Sequence, residues 1–156
     1  MNLSQLLKGR PFVSLATSDP QGRPNNAPKF LLKFENPYIY LIDYSYGRTQ
    51  DNLKTNPRGC LSFMDMHNLE GYRVYGTVEL VEKGPGFKAI AKEVDKRLIN
   101  LSASRVIEGV RTGKKFSHYE LEMPGKFTVI KFKVLEMTRI GTRGEFYRET
   151  DRRKVR

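Results

Sequence analysis

In the stretch GRTQDNLKTNPRG, Gly47 to Gly59, a cation and a hydroxyl (Arg48 and Thr49) stand at the start of a short helical turn bounded by Gly47 and Pro57. Backbone N–H groups in the first turn of a helix have no intrahelical partner and carry the positive end of its dipole. A guanidinium and a hydroxyl beside them make a place for an anion. The turn also needs help from outside. Its one large apolar residue, Leu53, returns about 1.5–3 kcal/mol on burial, whereas fixing about seven residues costs on the order of 1–2 kcal/mol each. A helix this short is also costly to nucleate.

Other chemistries are poorly supplied. GVRTGKK, from Gly109, places three rather than four residues between its glycines and Lys115 where a phosphate loop requires Ser or Thr. His67 and His118 lack the neighbours of a nucleophilic dyad, and with the single cysteine, Cys60, they make a poor zinc set. Cys60 reads as a small inert core residue. The carboxylates alternate with Lys and Arg as surface pairs do, so no hydrolase emerges. No catalytic residue can be named, and no metal is expected. The 156 residues fit one domain, 1–156, with a basic segment from about 148 to 156 that has little to bury and is expected to be mobile. No apolar run approaches the length of a membrane span, and NLSQLLKGRPF lacks the pattern of a secretory leader, so the expected location is the cytoplasm. A net charge of +11 draws polyanions, phosphorylated ligands or acidic membranes without choosing among them.

The elements that position the anion site are mostly strands. FVSLATS (Phe12 to Ser18) is rich in β-formers and runs into the turn DPQGRP. In KFLLKF, alternation puts Phe30, Leu32 and Phe34 on one face and Lys29, Leu31 and Lys33 on the other. YIYLIDY follows the turn at Glu35-Asn36-Pro37 as a third strand, so the short helix comes after three strands. GCLSFMDM and GYRVYGTVELVE supply a fourth and a fifth, the latter with Gly76 marking a bulge, a bend or a close backbone approach. FKAIAKEVDKRLINL carries a helical stripe at Phe87, Ile90, Ala91, Val94, Leu98 and Leu101 and continues or restarts through SASRVIEGV to Gly113. RTGKKFSHYELEMPG reads as irregular, with room for a short strand near His118 to Leu121. Phe127 to Met137 alternates as a half-exposed strand, and Glu145 to Tyr147 as a last hairpin arm. Five or six antiparallel strands with two inserted helices make a mainly β fold, a small barrel with appended helices.

Three segments in order, FVSLATSDPQGRPNNAPKF, YIYLIDYSYGRTQDNLKTNPRGCLSF and GYRVYGTVELVEKGPGF, resemble the pyridoxamine 5'-phosphate oxidase-like family of flavin mononucleotide-binding split barrels. The resemblance covers Phe12 to Leu98 well and the strand from Phe127 more loosely. It implies a six-stranded antiparallel split barrel that forms a homodimer, with flavin mononucleotide (FMN) in clefts shared by the subunits. It implies that Arg48 and Thr49, with Asn52 one turn later, hold the flavin phosphate. Lys29, Phe30 and Leu31 would run beside the ring system, Lys33 would add charge near the phosphate, Asp43 and Ser45 would approach the cofactor, and Arg73 would reach the cleft. The family chemistry is flavin-dependent redox chemistry on an unspecified substrate. The C-terminal arginine-leucine-proline pattern of true pyridoxamine phosphate oxidases is missing, the chain ending instead in DRRKVR, so that substrate is not expected.

Two rival readings stay open at this point. One is a basic barrel that binds single-stranded nucleic acid, with Phe34, Tyr38, Tyr40, Tyr44, Tyr72 and Tyr75 as stacking residues. The other is a haem-binding relative of the same barrel, for which neither histidine has a convincing ligand context.

Overall fold

The computed structural model describes residues 2–116 and 126–150. In chain order the elements are α1 (Leu3–Leu7), β1 (Phe12–Ser18), β2 (Pro24–Glu35), β3 (Tyr38–Asp43), α2 (Arg48–Thr55), β4 (Arg58–Asp65), β5 (Glu70–Val81), α3 (Pro85–Thr112), β6 (Thr128–Ile140) and β7 (Phe146–Thr150). All strand pairs are antiparallel in the order β3-β2-β1-β4-β5-β6-β7, and a β3–β6 pairing closes the first six into a barrel. Strand β6 does this by changing partners along its length. Thr128 to Lys133 pair with β3, whereas Glu136 to Ile140 pair with β7. The expected six-stranded barrel is therefore present, with β7 as an extra strand on its rim.

Strand alternation fills the interior. Leu15, Leu41, Leu61, Val74, Ile130 and Phe132 are fully buried there. Leu3 and Leu7 of α1 and Leu53 of α2 join the same core. A second apolar layer lies outside the barrel, where Phe30, Leu32, Ile42 and Val129 pack under Ile90 and Val94 of α3. No described helix is long and apolar enough to cross a membrane.

Two irregularities set the register. Between Leu31 and Lys33 the β2–β3 pairing shifts, so Leu31 opposes Leu41 and Phe34 opposes Ile39. Leu32 is the extra residue, and it changes the phase of the alternation. Phe30 and Leu32 share a face as expected, the one under α3, but Phe34 packs with Leu31 against the barrel interior rather than with them. The expectation at Gly76 is met. The β5–β6 register shifts between Tyr75 and Gly76, and a Cβ on Gly76 would run into the Lys133 carbonyl oxygen and the Phe132 ring.

Helix α1 was not anticipated, although its signals are present. The Asn2 side chain accepts from the Gln5 N–H, and Leu3 and Leu7 stand one turn apart on the buried face. Helix α3 is continuous through both candidate segments and stops at Gly113 in the left-handed conformation. The last arm extends further than expected, since Arg148 pairs with Thr138 in β7. Residues 151–156, and the possible strand near His118 to Leu121, lie outside the described residues.

Candidate functional site

Helix α2 solves its shortage of apolar surface with amides and hydroxyls. Only Leu53 reaches the apolar core, yet Thr49, Gln50 and Asn52 are also buried. The Asn25 amide donates to Thr49 Oγ1 at 3.1 Å, and the Asn52 amide donates to Thr17 Oγ1 at 3.1 Å. At the far end, the Asn56 amide donates to the Ser18 carbonyl and hydroxyl at 3.3 and 3.2 Å. The helix is thus tied to β1 and β2 by side chains whose hydrogen-bonding groups would be costly to bury alone. Thr49 and Asn52, two of the expected phosphate ligands, are committed through these side chains to the barrel.

What remains free is the start of the helix. Gly47 is its N-cap and provides no side-chain cap, so the first N–H groups are open to a ligand. Arg48 is exposed there, and among the described residues it makes no ion pair or hydrogen bond through its side chain. It lines, with Asp19, Arg23, Asn25, Asp51 and Asn52, a cavity of about 440 Å³, a size within the range of cofactor sites. The Asp19 carboxylate is engaged by Arg23 at 2.6 Å. The buried Gln50 Nε2 has no partner.

Lys29, Asp43 and Ser45 are brought together beside α2. The Lys29 ammonium donates to Asp43 Oδ1 at 2.8 Å and to Ser45 Oγ at 3.2 Å. The Ser45 hydroxyl and N–H donate to the same carboxylate oxygen at 2.7 and 3.1 Å. Burial works against ionisation of Asp43, but the Lys29 ammonium and the two Ser45 donors outweigh it and hold the carboxyl below its ordinary value. Lys29 and Asp43 are 4% and 1% exposed, so their charges compensate each other inside the protein. Asp43 Oδ2 is buried without a partner.

The remaining expected residues are spread more widely. Leu31 points into the barrel, and Phe30 lies under α3 with the Arg97 guanidinium 5.2 Å from its ring centroid. Lys33 is near the opposite end of β2 from Asn25, paired with Glu35 at 2.9 Å and Glu93 at 2.8 Å. Burial lowers the affinity of Lys33 for its proton, yet the two carboxylates hold its pKa above the ordinary value. The structure does not bring Lys33 to Arg48. Arg73 stands on the outer face of β5, its guanidinium carbon 6.0 Å from the Tyr75 ring centroid and 5.4 Å from that of Phe146, with a buried Nε that has no hydrogen-bond partner. Tyr75 and Phe146 beside it are exposed.

Sequence reasoning missed a second polar cavity, of about 270 Å³, lined by Lys8, Arg10, Lys33 and Arg97 over Leu31 and Leu32. Arg10 donates to the Leu6 carbonyl at 2.6 Å and Arg97 to the Leu32 carbonyl at 2.7 Å. Both guanidinium groups are therefore fixed by neutral partners. These residues come from the loop after α1, from β2 and from α3, and no local motif joins them.

The aromatic residues of the nucleic-acid reading are not gathered on one face. Tyr72 is buried and stacks on Phe63 with centroids 5.3 Å apart, Phe34 packs against the core, and Tyr38 and Tyr40 lie under Lys131 and Lys33. Cys60 is half-buried rather than a core residue, and burial raises the pKa of its thiol. No metal-binding cluster occurs among the described residues.

The sequence profile described as "Pyridoxamine 5'-phosphate oxidase" matches residues 2–140. The chain belongs to the pyridoxamine 5'-phosphate oxidase family. Solved structures with the same fold include a Clostridium acetobutylicum protein related to general stress protein 26, at 16% identity and TM-score 0.61, with 94% of this chain and 90% of that one covered. A pyridoxamine 5'-phosphate oxidase-related, FMN-binding protein from Nostoc punctiforme has 16% identity and TM-score 0.56 over 94% and 90% of the two chains. A heme-binding protein from Mycobacterium smegmatis has 16% identity and TM-score 0.58 over 90% of this chain and 53% of its own. No curated protein matches this family member in sequence. At such identities the structures establish the fold, and proteins that share it are described as FMN-binding in one case and heme-binding in another.

Proposed function

We propose that this member of the pyridoxamine 5'-phosphate oxidase family binds FMN and acts as a flavin-dependent oxidoreductase. The observation that carries the reading is the open start of α2 with an exposed Arg48 beside it that pairs with none of the described residues. A phosphate monoester fits this donor set, since backbone N–H groups and a guanidinium together form charge-assisted hydrogen bonds with it. Of the expected basic residues, Lys29 and Lys33 already face carboxylates and Arg73 lies on β5 against Tyr75 and Phe146, so Arg48, at the helix start, is the one placed to meet the phosphate. Thr49 and Asn52 act by fixing α2 on the barrel. Asp51, in the first turn, complements the dipole and directs the anion toward Arg48.

The ring system would lie along the outer wall of β1 and β2, where Ala16, Asn26 and Pro28 are exposed, rather than against the side chains of Lys29 and Leu31. A second copy seated on the exposed apolar residues around Arg73 would close that cleft and give the unpartnered Arg73 Nε a ligand or a carbonyl. FMN supplies hydride or electron transfer, and the protein supplies its position and surroundings. The basic cavity at the other end of β2 suits an anionic group on the substrate. A free thiol in a chain with no second cysteine fits a reducing compartment, so the cytoplasm is the proposed location.

Arg48→Ala tests the reading. Loss of a charge-assisted contact worth about 1.5–3 kcal/mol weakens FMN about 10- to 150-fold, while riboflavin, which lacks the phosphate, binds as before. Equal weakening of both ligands, or no uptake of either by the unaltered protein, refutes the assignment.

A further inference from the structure

Helix α3 reverses its amphipathic character halfway along. In its first half, Phe87, Ile90, Val94, Leu98 and Leu101 pack toward the barrel, and Lys88, Lys92 and Lys96 occupy the opposite, exposed side. After Leu101 the helical period carries Arg105 and Glu108 onto the barrel-facing side. The outward side becomes apolar, with Ile99, Val106, Ile107 and Val110 exposed by 68%, 45%, 66% and 84%, and with Ala103 among them. A helix that only had to cover the barrel would continue the first pattern. A contiguous outward stripe of this kind marks a surface that is covered by something else.

We infer that this stripe is covered by the same stripe of a second copy, packed antiparallel about a two-fold axis. Residues 99, 103, 106 and 110 are separated by 4, 3 and 4 positions, a pattern that reads the same in both directions, as an isologous contact requires. With the axis between Ser104 and Arg105, Ile99 meets the partner's Val110 and Ala103 meets the partner's Val106. The small Ala103 lets the backbones approach. Charge agrees with this register. Lys96 falls opposite the partner's Gly113, at the carbonyl end of a helix, which favours a cation. Asp95 falls opposite the partner's Lys114, a cation that in its own chain lies 3.4 Å from Glu108 and 5.0 Å from the Phe116 ring centroid.

The test is the mass in solution of the full chain, by sedimentation, against Ile107→Glu/Val110→Glu. Both positions are exposed and Glu is a good helix former, so the variant keeps its fold and its circular dichroism. The unaltered protein is expected to sediment at twice the mass of the variant, whether the smaller unit is one chain or a flavin-cleft dimer. Equal masses overturn the inference, including the case where the stripe instead takes a lipid surface or an unrelated protein. Lys96→Glu is expected to weaken the association about 3- to 30-fold at low salt, and an unchanged affinity overturns the antiparallel register. Flavin content is expected to be the same in both forms. Flavin and association lost together would assign the contact to the cofactor cleft and overturn a separate helix interface.

Discussion

Lys29→Met separates a structural role from a cofactor role. In the native protein the ammonium is 4% exposed and lies 2.8 Å from an Asp43 carboxylate that is 1% exposed. Methionine matches the volume but leaves Asp43 with the Ser45 hydroxyl and N–H as its remaining donors. Removing one partner of a buried pair costs about 3–5 kcal/mol, because the charge left behind is uncompensated. For a domain of this size a loss of 1 kcal/mol lowers Tm by roughly 2–4 °C, so the expected drop is about 6–20 °C by calorimetry. Lys29→Met/Asp43→Asn removes both charges and keeps an acceptor for Ser45, and it should recover most of that loss. A single-variant loss below about 1 kcal/mol would refute the closed-pair argument, since water would then reach the carboxylate. If stability held while flavin uptake disappeared, Lys29 would be a cofactor ligand rather than a core residue.

Three further outcomes follow from the same geometry. Gly76→Ala places a methyl group against the Lys133 carbonyl and the Phe132 ring, backbone and barrel core that cannot move aside cheaply, and should cost about 3 kcal/mol or more in denaturant unfolding. The folded-state pKa of Asp43 is depressed, so its contribution is fully present above its unfolded value near 3.9 and is lost as pH falls through the lower folded value. Asp43→Asn should flatten the acid limb of the stability profile there, and an unchanged limb would show that the carboxylate is not specially stabilised. Asn25→Ala leaves Thr49 Oγ1 without its amide donor and should destabilise the protein by about 1–2 kcal/mol, with faster amide hydrogen exchange in α2 than in β1.

Much of the barrel could be read from the chain because β alternation and turn chemistry act locally. FVSLATS, YIYLIDY and GYRVYGTVELVE carry enough β-formers, and DPQGRP enough turn residues, to place their strands without knowing their neighbours. Gly76 also announced itself, since a glycine inside a strand has few other reasons to be there. Phe34 was harder, because one extra residue at Leu32 reverses the phase, and that bulge depends on the partner strand rather than on β2 alone. Helix α1 was missed because five residues hold too little periodicity to stand out, although Asn2, Leu3 and Leu7 suffice once a barrel end is there to receive them.

For the site, the sequence by itself determined that a cation, Arg48, stands at the start of a helix whose cap residue, Gly47, has no side chain, because both are consequences of adjacent residues. Only the tertiary structure decided how the charges are shared out. Lys29 meets Asp43 across 14 positions and Lys33 meets Glu93 across 60, whereas Arg48 meets no carboxylate among the described residues. Composition counts cations but cannot say which are neutralised, since that depends on distances of a few ångströms between residues the chain brings together only when the barrel closes.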